Sequence, residues 1–382
     1  MKSLPMPPYF SFSLRPLTLS IVALAGSLSV NATASTVEEV LVLGGRIPHL
    51  ADDANANEKV IDQKAIGLQN ADHPSEILSL APGVNMNRGS GAEHLSAIRS
   101  PVLTGGAGAG SFLYLQNGVP LRSAGFANTN GMLDAPYELA ESIAVIRGPS
   151  GPLYGDNAVH GVVDVSLPKA GGKNYFKVSG DTEDRYKSTM SVAGDEGAHA
   201  WRVGGAVTHE SGYRLDAGLS QRKAYARHVH SGSDRQIDTI ISAHDIRQDT
   251  AGYIQGSDTL NDRELRRENS NPEAYRDAQS VHWQSNISTL NNNTEGEWHW
   301  QITPFARWHK MEFLQHFLPS KALENNDHWS IGSQSDIAKR HGKWHWRHGL
   351  DIEHSEGKLR EYQEIPTVFS YTQGLHYDYA VS

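Results

Sequence analysis

The feature that most constrains the fold of this sequence is the alternation of apolar and polar residues after Gly171-Gly172. Trp201, Val203, Gly205 and Val207 occupy every second position of one run, and the segments EWHWQI and KWHWRHGL each place two Trp on one side. Because successive side chains of a strand point to opposite faces, each run separates an apolar or aromatic surface from a polar one. The pattern predicts ten strands, at about 174–180, 186–193, 200–209, 220–230, 237–246, 280–289, 297–309, 329–338, 343–353 and 375–382.

The connections between these runs also alternate. Short ones are expected at 194–199, 231–236, 290–296 and 339–342, whereas most of the others are long, the longest being 247–279. Short turns at one rim and long loops at the other are typical of an outer-membrane β-barrel. A secreted β-sandwich also alternates, but it has no reason to sort its loops by length. The pattern therefore favours antiparallel transmembrane barrel strands in residues 171–382.

The first 34 residues have the composition of a secretory signal peptide. Lys2 and Arg15 give a positively charged start, and Leu17–Val30 is an apolar stretch too short to span a bilayer. Ala32-Thr33-Ala34 follows as a small-residue cleavage site. We expect cleavage after Ala34 and a mature chain outside the cytoplasm.

Composition excludes some kinds of site. The sequence has no cysteine, which excludes a disulfide framework and a cysteine-based metal site. Its formal net charge is −9, and loss of Lys2 and Arg15 with the signal peptide makes it −11. A general nucleic-acid-binding protein needs a basic face, so we predict no nucleic-acid partner.

The pattern of residues 54–170 predicts a small α+β domain, which follows a polar segment at 35–53. His73–Val84 resembles a short helix that Ser75 caps and Pro82-Gly83 ends. Asn117-Gly118 is typical of a tight hairpin turn, because both residues tolerate positive φ. We call residues 54–170 the plug region, for the reason given next.

The stretch ESIAVIRGPSGPLYGDNAVHGVVDV, at 141–165, closely resembles the plug-domain signature of TonB-dependent outer-membrane receptors. The segments SEILSLAPGV and FLYLQNGVPL resemble two further plug motifs, with Asn117 at a position that is usually acidic. The resemblance implies a structural role for the signature residues Arg147, Gly148, Pro149, Leu153, Tyr154, Gly155, Ala158 and Gly161.

The segment VEEVLVLGGR, just after the signal site, resembles the TonB box of the same family. Leu43 stands where that pattern favours Thr, so the register of the box is open. The resemblance implies that TonB binds this box from the periplasm, and an extended strand there suits pairing by β-augmentation. The box residues are Val37, Glu38, Glu39, Val40, Leu41 and Val42.

The resemblance implies an active importer in the outer membrane of a Gram-negative bacterium. The expected partners are TonB, outer-membrane lipids and a small-molecule ligand such as an iron chelate, with the chain acting as a monomer. A ferric siderophore is the preferred ligand class, and haem, cobalamin and saccharides stay open. The alternative is a secreted or outer-membrane β-rich binding or adhesion protein without transport activity.

Three residues are candidate ligand contacts. Arg88, Arg122 and Phe126 lie in or beside predicted loops at the outer end of the plug region. A cation beside an aromatic ring suits an anionic, partly aromatic iron chelate. Ordinary turn residues explain them equally well. For Arg147 we hypothesise a salt bridge to carboxylates of the barrel wall.

No motif predicts catalysis. GGAGAGS, at 105–111, lacks the Lys of a phosphate-binding loop, and it favours a plug loop instead. His345, His348 and His354 do not form a metal motif, because alternation in a strand scatters them between faces. We therefore predict no enzymatic activity, no catalytic residue, no cofactor and no bound metal.

Ten strands are too few to enclose such a domain. An eight-stranded barrel is filled by its own side chains, whereas plugged outer-membrane transporters use 22 strands. The final run, GLHYDYAVS, also reads as a strand in mid-course. We expect the chain to be a fragment or a truncated form of a receptor, with an incomplete barrel.

Overall fold

The computed structural model describes residues 57–100, 112–123, 126, 130–155, 157–182, 184–254, 256–259, 261–290, 296–315, 321–362 and 375–381. The predicted signal peptide, the predicted TonB box and the GGAGAGS segment lie outside these residues. No helix of the described part is long and apolar enough to cross a membrane.

The plug region contains a five-stranded sheet and a separate two-stranded one, with short helices between the strands. Its described elements are β1 (Glu58–Asp62), α1 (Gln63–Gln69), α2 (Pro74–Leu78), β2 (Val84–Arg88), β3 (His94–Ile98), β4 (Phe112–Gln116), β5 (Val119–Pro120), β6 (Ser142–Arg147), α3 (Gly151–Tyr154) and β7 (Gly161–Ser166). Two short 3₁₀ helices cover Gly131–Asp134 and Tyr137–Leu139. The order of the larger sheet is β1-β6-β7-β4-β5, and of its neighbouring strands only β4 and β7 pair in parallel.

Local sequence signals explain several boundaries. Asp62 caps α1, because its carboxylate accepts a hydrogen bond from the Ala65 amide at 2.8 Å. The predicted cap of α2 is wrong by two residues: the His73 ring accepts from the Ser75 amide at 3.1 Å, and Pro74 begins the helix. The predicted hairpin turn is confirmed, since Asn117 and Gly118 have φ of 48° and 81° between β4 and β5.

The core of the plug region lies where α1 and α2 cover the larger sheet. Ile143, Val145 and Val165 are completely buried there, with Leu78 of α2 beside them. Full burial of one such side chain contributes about 1.5–3 kcal/mol, so this cluster is the main source of stability for the region. The plug region is therefore apolar inside, like an ordinary soluble domain.

The ten predicted strands of the second half are confirmed and form one antiparallel sheet, which we call the wall. Its strands follow one another in sequence order, and neighbours in the chain are neighbours in the sheet. They are β8 (Tyr175–Gly180), β9 (Arg185–Glu196), β10 (His199–Glu210), β11 (Leu219–Ser231), β12 (Arg235–Asp249), β13 (Tyr275–Thr289), β14 (Trp298–Leu314), β15 (Leu323–His341), β16 (Trp344–Tyr362) and β17 (Leu375–Val381).

The wall is apolar outside and polar inside. Trp201, Val203 and Val207 are 43%, 52% and 50% exposed, whereas Arg202 and Thr208, which point to the opposite face, are buried. This inverted pattern is that of a lipid-facing barrel surface with a polar interior. The predicted separation of the two faces is confirmed.

Connection length alternates along the wall as predicted. Residues 197–198, 232–234, 290–297 and 342–343 link strands at one rim, and 211–218, 250–274, 315–322 and 363–374 link them at the other. The connection 181–184 is short although it lies at the second rim, and 250–274 includes α4 (Arg263–Arg267). Among the described strands β8 and β17 are the two ends of the sheet, so these strands form an open sheet rather than a closed barrel.

Candidate functional site

The signature stretch forms the hairpin-like unit β6–β7 at the centre of the plug sheet. Ile146 pairs with Val162, and the amides of Gly148 and Ser150 donate to the carbonyls of His160 and Ala158 at 2.8 and 2.9 Å. The intervening residues therefore close on themselves by main-chain bonds. The Gly and Pro residues between the two strands allow this closure.

Gly161 shows why the signature needs a residue without a side chain. A Cβ at this position would lie 2.8 Å from both the Ile146 carbonyl oxygen and the Ile98 Cδ1. One of these contacts is backbone, so the site cannot adjust by rotating a side chain. The absence of a side chain at Gly161 thus lets β3 and β6 approach β7 closely. We interpret the role of Gly161 as structural.

Arg147 joins separate parts of the plug region. Its Nε donates to the Asn57 carbonyl and its Nη1 to the Pro82 carbonyl, both at 2.9 Å. Asn57 directly precedes β1, and Pro82 lies in the turn after α2. Both contacts lie within the plug region and involve main-chain carbonyls. The salt bridge that we hypothesised for Arg147 would instead join it to carboxylates of the barrel wall.

The interface between the plug region and the wall combines buried ion pairs with two apolar clusters, and it is the candidate functional site. Carboxylates of the plug region meet cations of the wall. Asp72 lies 2.5 Å from Arg185, Glu93 lies 3.0 Å from Arg276, and Glu138 lies 3.0 Å from Lys223. The Arg276–Glu93 and Lys223–Glu138 pairs are buried, so loss of one partner alone would leave an uncompensated charge.

Main-chain carbonyls of the plug region accept hydrogen bonds from further wall cations. Arg227 donates to Leu167 and Pro168 at 2.8 and 3.0 Å, and Arg202 donates to Lys169 at 2.6 Å. The chain leaves the plug region for the wall at these carbonyls. The two arginines therefore fix the direction in which the wall begins.

A buried group around Asp134 forms the centre of the interface. The Asp134 carboxylate lies 2.7 Å from Arg122 Nε and 3.5 Å from a ring nitrogen of each of His244 and His309. Burial opposes its charge, but the neighbouring Arg122 guanidinium holds the pKa of Asp134 well below its usual value. His309 stacks on His328 with ring centres 4.9 Å apart.

Neutral histidine also stabilises the plug region itself. His94 is buried; its Nε2 accepts from the Met132 amide at 3.2 Å, and its Nδ1 lies 3.0 Å from the Ala92 carbonyl. Burial lowers the pKa of His94 to about 3, so the ring acts as a neutral donor and acceptor. In the described part of the chain, no three His, Asp or Glu side chains are arranged to hold a metal ion.

The structure brings together two of the three candidate ligand contacts. Arg122 and Phe126 are buried beside the wall, where the Phe126 ring stacks on His328 with centres 3.9 Å apart. Arg88 lies apart from them at the end of β2, where its side chain is 47% exposed and pairs with Glu76 at 3.3 Å. Ligand contact by any of the three stays a prediction.

Sequence reasoning missed the wall cations and the group around Asp134. The available signal was alternation: Arg202, Lys223 and Arg227 stand at positions of the polar face, as do His244 and His309. A charged residue at such a position is a candidate contact to whatever fills the interior. Its partner in the plug region was not readable from spacing.

Comparison with known proteins agrees with the motifs. The family profile "TonB-dependent Receptor Plug Domain" matches residues 51–162. The vitamin B12 transporter BtuB of Vibrio vulnificus is 28% identical over 130 residues, which are 34% of this chain and 20% of that protein.

Two solved receptors have the same fold. The ferric yersiniabactin uptake receptor FyuA of Yersinia pestis superposes with a TM-score of 0.66 at 14% identity. The alignment covers 82% of this chain and 51% of the FyuA chain. The ferric citrate transporter FecA gives 0.63 at 17% identity, covering 83% and 49%. The chain thus spans about half the length of these receptors. The chain therefore contains a TonB-dependent receptor plug domain at residues 51–162, and the similar proteins named above are receptors and transporters rather than enzymes.

Proposed function

We propose that this protein imports a scarce ligand across the outer membrane of a Gram-negative bacterium, using TonB and the inner-membrane proton gradient. The observation that carries the proposal is the set of ion pairs between the plug region and the wall. When the plug region moves, the partners of Lys223–Glu138 and Arg276–Glu93 can bind water in place of each other. The apolar clusters of the same interface lack this option, because opening exposes their hydrophobic surface to water.

The outer surface of the wall supports a membrane location. Trp298, Trp344 and Trp346 are 48%, 60% and 53% exposed near the rim with short turns. Trp side chains are enriched where a barrel surface meets the lipid headgroups. Outer-membrane lipids are therefore the proposed partner of this face, with the short-turn rim towards the periplasm and a single chain per receptor.

The proposed domain order gives each segment a task. Residues 1–34 direct export, 35–53 carry the TonB box Val37–Val42, 54–170 form the plug and 171–382 contribute barrel strands. A strand at Val37–Val42 would pair with TonB by main-chain hydrogen bonds, which resist pulling along the chain.

A ferric siderophore is the proposed ligand class. Two of the similar structures carry ferric ligands in their names, ferric yersiniabactin and ferric citrate, and the similar curated protein transports vitamin B12. Arg88 is the proposed contact whose side chain faces solvent. Arg122 and Phe126 are buried and would respond through their contacts with Asp134 and His328 respectively.

The test measures uptake of radioactive iron by a strain from which the gene of this protein has been deleted. The gene is restored or left out, TonB is present or deleted, and single iron chelates are supplied. We expect uptake of at least one chelate that requires both the gene and TonB. Binding of chelates without TonB-dependent uptake would instead support the alternative, a binding or adhesion protein of the outer membrane.

A further inference from the structure

Three histidines form a cluster on the outer face of the wall, at the rim with short turns. His199 begins β10 directly after the turn 197–198, and His228 and His230 lie near the end of β11. In the register His199 faces His230, and Trp201, two residues further along β10, faces His228. All three imidazoles therefore lie on the face that carries the exposed Trp201.

Two of these rings are at hydrogen-bonding distance from each other. His199 Nδ1 lies 3.2 Å from His228 Nε2, and both side chains are exposed. Such a contact forms when one ring presents a lone pair to the N–H of the other. The His230 ring lies 4.5 Å from that of His199, and among the described residues its Nδ1 is buried without a hydrogen-bond partner. A third ring therefore packs against the hydrogen-bonded pair.

The separation of the two nitrogens also matches that of two ligands on one metal ion. An imidazole nitrogen binds Zn²⁺ at about 2.0–2.1 Å, and two of them at an angle of about 90–109° lie about 2.8–3.4 Å apart. The observed 3.2 Å falls within this range. If the shared proton moves to the outer nitrogen of its own ring, both inner nitrogens present lone pairs. A metal ion can therefore replace the hydrogen bond without large movement of either ring.

The charges around the pair favour a cation. Glu196, on β9, stands opposite His199 in the register and on the same face. On the other side Arg235, at the start of β12, is paired with Asp234 at 3.0 Å, so their charges offset each other. A carboxylate next to the pair attracts a divalent cation more strongly than a neutral ligand.

We propose that His199 and His228 form a binding site for a divalent transition-metal ion that prefers imidazole, such as Zn²⁺, Ni²⁺ or Cu²⁺. The two nitrogens occupy adjacent positions on the ion and water fills the others, since no three-ligand group exists among the described residues. The bound ion joins β10 to β11 at the rim. Its ligands are 29 residues apart on two strands, so spacing within one strand does not reveal the site. The inference does not depend on import or on TonB.

Binding of copper(II) iminodiacetate to the purified chain, in detergent and without an affinity tag, tests the site. The chelator leaves two adjacent positions on the copper ion, so this probe selects paired imidazoles over the many single histidines of the chain. We expect one tightly bound probe per chain, with two imidazole nitrogens in its electron paramagnetic resonance spectrum. His199→Gln and His228→Gln should each weaken binding by on the order of a hundredfold, because the remaining ring then binds alone.

Two matched variants separate this site from general binding to histidine. His209→Gln removes an exposed histidine of the same strand that has no histidine opposite it in the register, and it should leave the affinity unchanged. His230→Phe keeps a ring beside His199 and should also retain binding, because His230 is not a proposed ligand. Equal affinity in the parent, H199Q and H228Q would overturn the assignment. So would coordination by a single imidazole, or a loss in H209Q or H230F as large as that in H199Q.

Discussion

The plug region and the wall apply the same strand alternation in opposite senses. In the plug sheet Ile143 and Val145 point into an apolar core, whereas in the wall Val203 and Ile331 point outwards and Arg202 points inwards. Alternation fixes which side chains share a face, but the surroundings decide which face is buried. The comparison teaches that the two regions are stabilised differently and meet through ion pairs as well as apolar contacts.

The largest expected effect comes from breaking a buried ion pair between the regions. Lys223→Met leaves Glu138 without its partner at 3.0 Å and should destabilise the docked plug region by about 3–5 kcal/mol. The readout is urea-dependent labelling of a cysteine placed at Ala158, which is buried in the plug region.

The matched double variant K223M/E138L is the control for this pair. It removes both charges, so we expect it to recover most of the lost stability, since apolar replacement of a buried pair is often neutral. A Lys223→Met variant as stable as the parent would mean that the interface does not depend on its ion pairs.

The next effect compares the two apolar faces directly. Ile143→Ala empties a completely buried site in the plug core and should cost about 2–5 kcal/mol. Ile331→Ala, at a wall position that is 55% exposed, should change the free energy of unfolding in detergent far less. Equal costs for the two variants would contradict the inverted arrangement of the wall.

A smaller effect is expected at the signature glycine. Gly161→Ala brings a Cβ to 2.8 Å from the Ile146 carbonyl oxygen and should destabilise the plug region by about 1–3 kcal/mol. Gly151→Ala is the matched control, because a Cβ there meets nothing within 4 Å. The same urea titration measures both variants, and equal stabilities would show that the close approach is not limiting.

The smallest effect is a pH dependence inside the plug region. Burial raises the pKa of Asp164 from 3.8 to about 6. The folded state therefore binds its proton more tightly than the unfolded state, and this stabilisation is present below pH 4 and lost as the pH rises through 6. Between pH 4 and 6 the parent should lose about 1 kcal/mol of the free energy of unfolding per pH unit through this group. Asp164→Asn should remove that loss.

The difference in the free energy of unfolding between Asp164→Asn and the parent, taken at each pH, separates the effect of Asp164 from that of the buried histidines. His94 and His73 have pKa values lowered by burial to about 3 and about 4, so their contribution runs the other way and fades as the pH falls below 6.5. A difference that stays constant between pH 4 and pH 7 would contradict the raised pKa of Asp164.

The sequence predicted the ten wall strands better than their ends. The strand predicted at 329–338 spans Leu323–His341, and the one predicted at 280–289 begins at Tyr275. The apolar alternation stops where an outward side chain no longer has to be apolar, but main-chain pairing with the neighbouring strand continues into polar residues such as Glu324. Pairing partners are not visible in one strand's own sequence.

The candidate site was predictable in kind and not in detail. The motif around Arg147 and Gly161 identified the plug domain, and alternation marked Lys223 and His309 as inward-facing residues. The pairing of Lys223 with Glu138, 85 residues earlier, depends on how the plug region sits against the wall. The buried positions of Arg122 and Phe126 depend on the same docking.

By itself the sequence determined the strand count, the two faces of each strand, the alternation of short and long connections, and the plug signature, because all of these are local patterns of residue type. The tertiary structure decided which acid meets which base, and that Asp134 is surrounded by Arg122, His244 and His309. It also decided that Lys177 binds the Gly67 carbonyl in α1 and that Lys187 binds the Ala71 carbonyl just after it. These contacts join residues that are far apart in the chain. Their energies come from burial and charge, which exist only once the plug region and the wall enclose them.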